Sequence, residues 1–127
     1  MLKAIHHVAI ICSDYARSKV FYSQLLQLEI ICETYREERD SYKLDLKLPD
    51  NSQIELFSFN GAPSRPNYPE AQGLRHLAFA VDDLAATVRY LEINGVAVEP
   101  VRIDELTNKA FTFFNDPDGL PLELYQI

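Results

Sequence analysis

The alternation of apolar and polar residues in the first half of the chain predicts four strands and one helix. Residues 5–12 are almost all apolar and predict a strand, and Asp14 is well placed to cap a helix over 15–26. Residues 29–35 and 42–48 predict the next two strands, and 53–59 predict the last. The order of these elements is βαβββ.

The second half of the chain repeats this order. Residues 74–81 predict a strand, and Asp83 precedes a helical pattern in which Leu84, Val88 and Leu91 share one face. Gly95 is a typical residue just beyond a helix end. Residues 96–103, 110–115 and 120–125 predict strands, the last two joined by the turn sequence DPDG at 116–119.

The two halves also match residue by residue. His76 and Asp83 follow His7 and Asp14 by 69 positions, and Glu123 follows Glu55 by 68 positions. The sequence therefore predicts an α+β fold, one domain over 1–127, built from two βαβββ modules at about 4–60 and 74–127. Residues 60–73, rich in Pro and Gly, are interpreted as the linker.

The charge balance narrows the possible partners. The chain has 12 Lys and Arg against 19 Asp and Glu, for a net charge of −7. An acidic chain without a cationic cluster is poorly suited to nucleic acid or to an anionic membrane surface. No apolar run approaches the roughly 20 residues that span a bilayer, and no signal peptide is evident, so we expect a cytoplasmic protein with a small-molecule substrate.

Two histidines and two glutamates are the candidate functional residues. On a strand, His7 shares a face with Ala9 and Ile11, and His76 shares one with the small residues Ala78 and Ala80. Each glutamate lies in an otherwise apolar strand, where an unpaired carboxylate is costly and needs a partner or a metal ion. The sequence predicts one metal site with four ligands: His7, Glu55, His76 and Glu123.

Less specific interpretations apply to each of these residues taken singly. A lone strand histidine is more often a core or surface residue than a ligand, and a strand glutamate commonly faces water. The recurrence of the His and Glu pair at nearly the same offset favours the metal site. His6 is not expected to be a ligand, because it falls on the face of Val8 and Ile10 and Arg75 occupies its place in the repeat.

Two imidazoles and two carboxylates suit a borderline divalent ion: Zn, Ni, Mn, Fe(II) or Co. Such an ion acts as a Lewis acid on a substrate that chelates it through two oxygens. A carboxylate beside it can serve as general base for a proton next to a carbonyl group.

Several stretches resemble the vicinal oxygen chelate superfamily, which includes glyoxalase I, fosfomycin-resistance proteins, extradiol dioxygenases and bleomycin-binding proteins. The stretches are HHVAI with SDYARSKVFY, then IELF, GLRHLAFAVDDL and FFNDPDGLPLELY. The resemblance spans nearly the whole chain. It implies paired βαβββ modules that form a curved mixed sheet around a metal, with ligands at the four positions that the repeat indicates.

The set of four ligands resembles that of glyoxalase I most. This resemblance implies a lyase or isomerase in which Glu123 is the first choice for the catalytic base and Glu55 the second. The chain departs from that enzyme at Ile11 and Phe59, where glyoxalase I usually has an Arg and an Asn that hold glutathione. An apolar side chain cannot pair with a carboxylate, so we expect a substrate that is not a glutathione adduct.

Other functions stay open at this point. The alternatives are an antibiotic-resistance protein of the fosfomycin or bleomycin type and a metal-binding module without turnover, so enzymatic activity is itself a hypothesis. A homodimer is expected, with the two modules paired either within one chain or between two chains. Arg36, Arg39, Arg102 and Lys109 are further candidates for contact with a substrate anion, although a solvated hairpin or strand end is the more common explanation for such residues.

Overall fold

The computed structural model describes all 127 residues, which form two compact units, Met1–Ser64 and Arg65–Ile127. Each unit has the order βαβββ and contains one four-stranded mixed sheet. The predicted α+β fold with two βαβββ modules is therefore confirmed. No helix is both long enough and apolar enough to cross a membrane.

The first unit places its first and last strands side by side. Its elements are β1 (His7–Cys12), α1 (Tyr15–Val20), β2 (Glu29–Arg36), β3 (Ser41–Lys47) and β4 (Gln53–Ser58). The strand order is β1-β4-β3-β2. β1 and β4 are parallel, whereas β3 is antiparallel to both of its neighbours, β4 and β2. The strands that contain His7 and Glu55 are thus adjacent in the sheet, although they are far apart in the sequence.

Strand alternation sorts the residues of this sheet onto two faces. One face carries the buried core residues Ile10, Cys12, Leu44, Leu46, Ile54 and Leu56. Because successive strand side chains point to opposite faces, His7, Lys43, Asp45 and Glu55 lie on the other face. That face is only partly covered, and Ile11 on it is 51% exposed.

The predicted helix over 15–26 is regular only at its start. Asp14 caps it, and its side chain accepts a hydrogen bond from the backbone N–H of Arg17. From Phe21 to Leu25 the chain widens to a π-helix, in which the N–H of Leu26 donates to the carbonyl of Phe21 at 2.9 Å. A short apolar pattern with a period of 3.6 residues does not reveal a turn closed by a hydrogen bond between residues five apart, so the sequence predicted one continuous helix.

The second unit repeats the arrangement with its own set of elements: β5 (Leu77–Val81), α2 (Leu84–Ile93), β6 (Arg102–Asp104), β7 (Lys109–Asn115) and β8 (Pro121–Gln126). The strand order is β5-β8-β7-β6, with β5 and β8 parallel. The core consists of Leu84, Leu91, Phe114, Leu122 and Leu124, all less than 5% exposed.

The prediction of a strand over residues 96–103 is wrong for most of that range. Only Arg102–Asp104 forms a strand, and Val98 makes an isolated bridge to Phe114. Pro100 explains the interruption, because it has no N–H to donate to a sheet ladder.

Part of the predicted linker is bound to the second unit. The Arg65 side chain donates to Asn67 Oδ1 at 2.7 Å and to the carbonyls of Leu74 and Arg75. Asn67 Nδ2 donates to the carbonyl of Gly119 at 2.7 Å. Gly119 has φ +81°, which completes the turn that the DPDG sequence predicts. The segment therefore supports the turn that leads into the Glu123 strand.

Candidate functional site

The first candidate pair joins β1 to β4. His7 Nε2 lies 2.7 Å from Glu55 Oε2. The Glu55 side chain is 16% exposed and that of His7 is 45% exposed. The parallel pairing of the two strands sets Ala9 opposite Glu55, and the small Ala side chain leaves room for the glutamate to reach His7. A half-buried carboxylate thus meets an imidazole at the open side of the sheet.

Glu55 has a second partner, Lys43, which sequence reasoning missed. Lys43 Nζ lies 2.9 Å from Glu55 Oε1 and 3.0 Å from Asp45 Oδ1. The hydrogen bond from Lys43 holds the pKa of the Glu55 carboxyl below its usual value, and the carboxylates of Glu55 and Asp45 raise the pKa of the Lys43 ammonium. The signal was available: Lys43 and Asp45 alternate with Leu44 and Leu46, which places them on the face of Glu55.

His6 is a neighbour of His7, contrary to the prediction that it points to the other face. The two Nδ1 atoms are 3.0 Å apart, and the rings meet edge to face. The strand begins only at His7, so strand alternation does not extend to His6. With Nε2 against Glu55 and Nδ1 against His6, both ring nitrogens of His7 have a partner, which fixes the orientation of the ring.

The second candidate pair joins the start of β5 to β8. His76 Nε2 lies 3.0 Å from Glu123 Oε2, and the side chains are 35% and 13% exposed. Phe113 is directly opposite Glu123 in the sheet, and its ring meets the His76 ring edge to face at 5.0 Å between centroids. An aromatic ring therefore lies beside this pair, where the first pair has a charged side chain.

The difference follows from two positions of the repeat. Lys43 and Asp45 precede Glu55 by the same numbers of residues as Phe111 and Phe113 precede Glu123. His76 is the one residue that forms an ion pair with Glu123. The two histidine–glutamate contacts are thus alike, but only the first includes a cation.

The four further candidates occupy different surroundings. Arg36 stacks over Phe57 and Phe59, with its guanidinium carbon 4.8 and 5.3 Å from the ring centroids. Arg102 stacks over Phe111 and Phe113 at 5.1 and 5.4 Å. Arg39 and Lys109 are exposed. The structure therefore brings Arg36 onto the face of the first pair and Arg102 onto the aromatic residues beside the second.

The donors of each pair fit a divalent ion. Two ligands that bind one ion at right angles with bonds of about 2.1 Å are about 3 Å apart. The nitrogen–oxygen separations of 2.7 and 3.0 Å are close to that value. No group of three or more His, Cys, Asp or Glu side chains is arranged to hold a metal ion. Each unit therefore offers a pair of donors and not a complete set.

The paired βαβββ units and the repeated histidine–glutamate contacts define a class of protein. Residues 4–124 match the family described as Glyoxalase/Bleomycin resistance protein/Dioxygenase superfamily. The chain belongs to this superfamily, as the resemblance of its motifs predicted.

Individual relatives extend over nearly the whole chain. The uncharacterized protein YwkD of Bacillus subtilis is 60% identical over 126 residues, covering 99% of this chain and 98% of the relative. The crystal structure of a glyoxalase family protein from Enterococcus faecalis is 48% identical, covers 98% of both chains and superposes with a TM-score of 0.91. The metallothiol transferase FosB of Staphylococcus saprophyticus is 25% identical over 129 residues, covering 98% of this chain and 78% of the relative.

Proposed function

We propose that the protein is a glyoxalase-like lyase or isomerase that depends on a divalent metal ion. Its ligands are His7, Glu55, His76 and Glu123, supplied as two pairs by one chain or by two. The observation that carries the proposal is the repeat of one contact, an imidazole Nε2 within 3.0 Å of a half-buried carboxylate, in both units. When bound, the ion supplies Lewis-acid polarisation of a substrate carbonyl.

The two glutamates have different parts in this proposal. Glu55 is held at both oxygens, by His7 and by Lys43, so it serves as a fixed ligand. Glu123 has no cationic partner other than a protonated His76, and it accepts the proton from the carbon next to the substrate carbonyl. The resemblance to glyoxalase I implies the same order of preference, with Glu123 first and Glu55 second.

The proposed substrate is a small molecule that chelates the ion through two oxygens and is not a glutathione adduct. Ile11 stands on the His7 face with 51% of its surface exposed, and it has no group that can pair with a carboxylate. Phe59 is stacked on Phe57 and likewise offers no hydrogen bond donor from its side chain.

Metal analysis tests the proposal. Protein purified without chelators is expected to contain a transition metal, and stripped protein is expected to take up Zn²⁺, Ni²⁺ or Mn²⁺ in calorimetric titration. His76→Ala and Glu123→Ala should each weaken that binding by at least about 100-fold, because each removes a ligand. Glu92→Ala, which removes an exposed carboxylate from α2, is the matched control and should bind as the native chain does.

Two results would overturn the metal site. One is unchanged metal affinity in both His76→Ala and Glu123→Ala. The other is the absence of transition-metal binding by native protein whose circular dichroism shows it to be folded. Rapid turnover of the glutathione hemithioacetal of methylglyoxal would leave the metal site standing and would refute the exclusion of glutathione.

Thiol transfer is a second candidate function. The similarity to the metallothiol transferase FosB favours it. Incubation of the metal-loaded protein with fosfomycin and cysteine distinguishes the two functions. Thiol consumption that depends on both the protein and fosfomycin would indicate a transferase, and its absence would leave the lyase or isomerase.

The proposal includes a homodimer. Each unit offers one histidine–glutamate pair, and two pairs can come together from two chains as well as from one. Light scattering coupled to size-exclusion chromatography gives the mass directly, and a mass of one chain at micromolar concentration would exclude the dimer.

A further inference from the structure

Arg36 is a cation on the face of the first pair that no carboxylate neutralises. It stands at the end of β2, and its guanidinium lies over the stacked rings of Phe57 and Phe59. Phe57 is two residues beyond Glu55 on β4, so it shares the face of the His7–Glu55 pair. None of the ion pairs of the chain includes Arg36.

The guanidinium is fixed in place, yet its donors are not all used. Nη2 donates to Ser41 Oγ at 2.9 Å, and the buried Ser41 hydroxyl in turn donates to the carbonyl of Ser58. Nε is buried and has no hydrogen bond partner. A guanidinium has five N–H donors, and a buried donor without a partner is destabilising. These contacts hold the Arg36 side chain in place but leave its positive charge without an anionic partner.

The acidic side chains of the β2–β3 connection form no ion pair with Arg36. Asp40 accepts hydrogen bonds from the hydroxyl of Tyr35 and from Asn60 Nδ2, the latter at 3.2 Å. Glu37 and Glu38 are exposed and form no ion pair with Arg36. Arg36 itself is half-buried, with part of its side chain open to solvent. An anion that approaches from solvent therefore meets an uncompensated positive charge.

We propose that Arg36 binds an anionic group of the substrate, a carboxylate or a phosphate. Glu55 and Phe57 are two residues apart on β4, and two residues along a strand span about 7 Å. The anionic group of the substrate is therefore expected to lie about 7 Å from the substrate oxygens at the His7–Glu55 pair. The inference rests on the proposed function for the position of the reacting end. It narrows the substrate to a small chelating molecule with an oxyanion at its other end. The anion contact itself needs only Arg36 and not the metal.

Two matched ligands test this substrate class. Both 2-hydroxyglutarate and 2-hydroxypentanoate carry a hydroxyl next to a carboxylate and have the same chain length, but only the first ends in a second carboxylate. In calorimetric titration of the Zn²⁺-loaded protein, 2-hydroxyglutarate should bind at least about tenfold more tightly, since a hydrogen bond between two charged groups is a strong one. Arg36→Met should abolish the difference.

Control variants separate the charge from the fold. Arg39→Met removes the same charge from the exposed turn next to β2 and should preserve the tenfold preference. Arg36→Lys keeps the charge but loses the planar fork, and it should retain part of the preference. The comparison of the two ligands on the native protein needs no variant, so it stands even if Arg36→Met fails to fold.

Inorganic phosphate titrated into metal-free protein separates the two proposals. Phosphate binding that Arg36→Met weakens and Arg39→Met does not would support the anion contact, even if no metal bound and the proposed function failed. Equal affinity for the two hydroxy acids in metal-loaded native protein would overturn the anion contact and leave the metal site intact. Binding of S-lactoylglutathione that requires Arg36 would support the contact and refute the exclusion of glutathione.

Discussion

The His7–Glu55 and His76–Glu123 pairs are two versions of one contact in different surroundings. In the first, a lysine and an aspartate from the neighbouring strand lie beside the glutamate. In the second, phenylalanines occupy those two places, and one of them meets the histidine edge to face. Both halves of the repeat contain the histidine and the glutamate, whose donor atoms suit a metal ion. They differ in the residues beside the glutamate, which determine how firmly its carboxylate is held.

The difference assigns a physical role to each half. A carboxylate with an ammonium on one oxygen and an imidazole on the other is held in one orientation and stays ionised. A carboxylate with a single partner beside aromatic rings can change its orientation. In the proposed metal site, the two glutamates therefore have different parts: Glu55 is the fixed ligand and Glu123 is the proton acceptor.

The largest expected effect concerns this division of roles. Glu123→Gln should slow proton abstraction by about 10²- to 10⁴-fold, because it removes the general base. Glu55→Gln should slow it much less at equal metal content. The measurement is the metal-dependent exchange of the hydrogens next to the carbonyl of hydroxyacetone in D₂O, followed by NMR.

Equal losses in Glu123→Gln and Glu55→Gln, with metal content matched, would contradict the assignment. A larger loss in Glu55→Gln would reverse it. The free energy of metal binding, measured on the same preparations, separates a lost base from a lost ligand.

A smaller effect is expected on stability. Lys43→Met removes the cation from the half-buried Glu55 and should lower the free energy of unfolding by up to about 1 kcal/mol, since the Lys43 side chain is 31% exposed and solvent screens the pair. Urea denaturation of metal-free protein measures it. Lys47→Met on the same strand face is the matched control, because its partner Glu29 is 68% exposed and the loss should be near zero. Equal losses in the two variants would show that Lys43 does not stabilise Glu55.

The smallest effect is the pH dependence of that loss. The pKa of Glu55 in the folded chain lies below its usual value near 4.5, chiefly because of the Lys43 hydrogen bond. The stabilisation is therefore present above about pH 4.5 and disappears as the pH falls through the lower, folded-state pKa. The difference in unfolding free energy between native protein and Lys43→Met should be constant from pH 6 to 8 and shrink on acidification. A difference that grows as the pH falls would contradict the sign.

Most of the fold could be predicted from the sequence, because the apolar pattern indicates the elements and the repeat indicates their arrangement in two modules. The alternation in β3 and β4 gives the buried face, and the offset between Glu55 and Glu123 gives the repeat. The π-helical turn from Phe21 and the short β6 could not be predicted in the same way. The first leaves no trace in a short apolar pattern, and the second depends on one missing N–H at Pro100.

The candidate site could be predicted only as a set of residues. Repetition pointed to His7, Glu55, His76 and Glu123, and each unit brings its own two into contact. The partners of the pairs depend on strand register, which the sequence leaves open. The alternation in β3 indicates the face on which Lys43 lies, but only the strand register brings Lys43 within reach of Glu55. His6 was misplaced because the strand begins at His7, two residues later than the predicted start at residue 5.

The constant spacing of 68 residues between Lys43 and Phe111, and between Asp45 and Phe113, has an evolutionary consequence. In the first half of the chain, two side chains hold the Glu55 carboxylate in place. In the second half, the Glu123 carboxylate has only His76 as a partner. Two substitutions in β7 separate these states. Under the proposed function, substitutions at these two β7 positions are expected to exchange the parts of the two glutamates while the four proposed ligands stay the same.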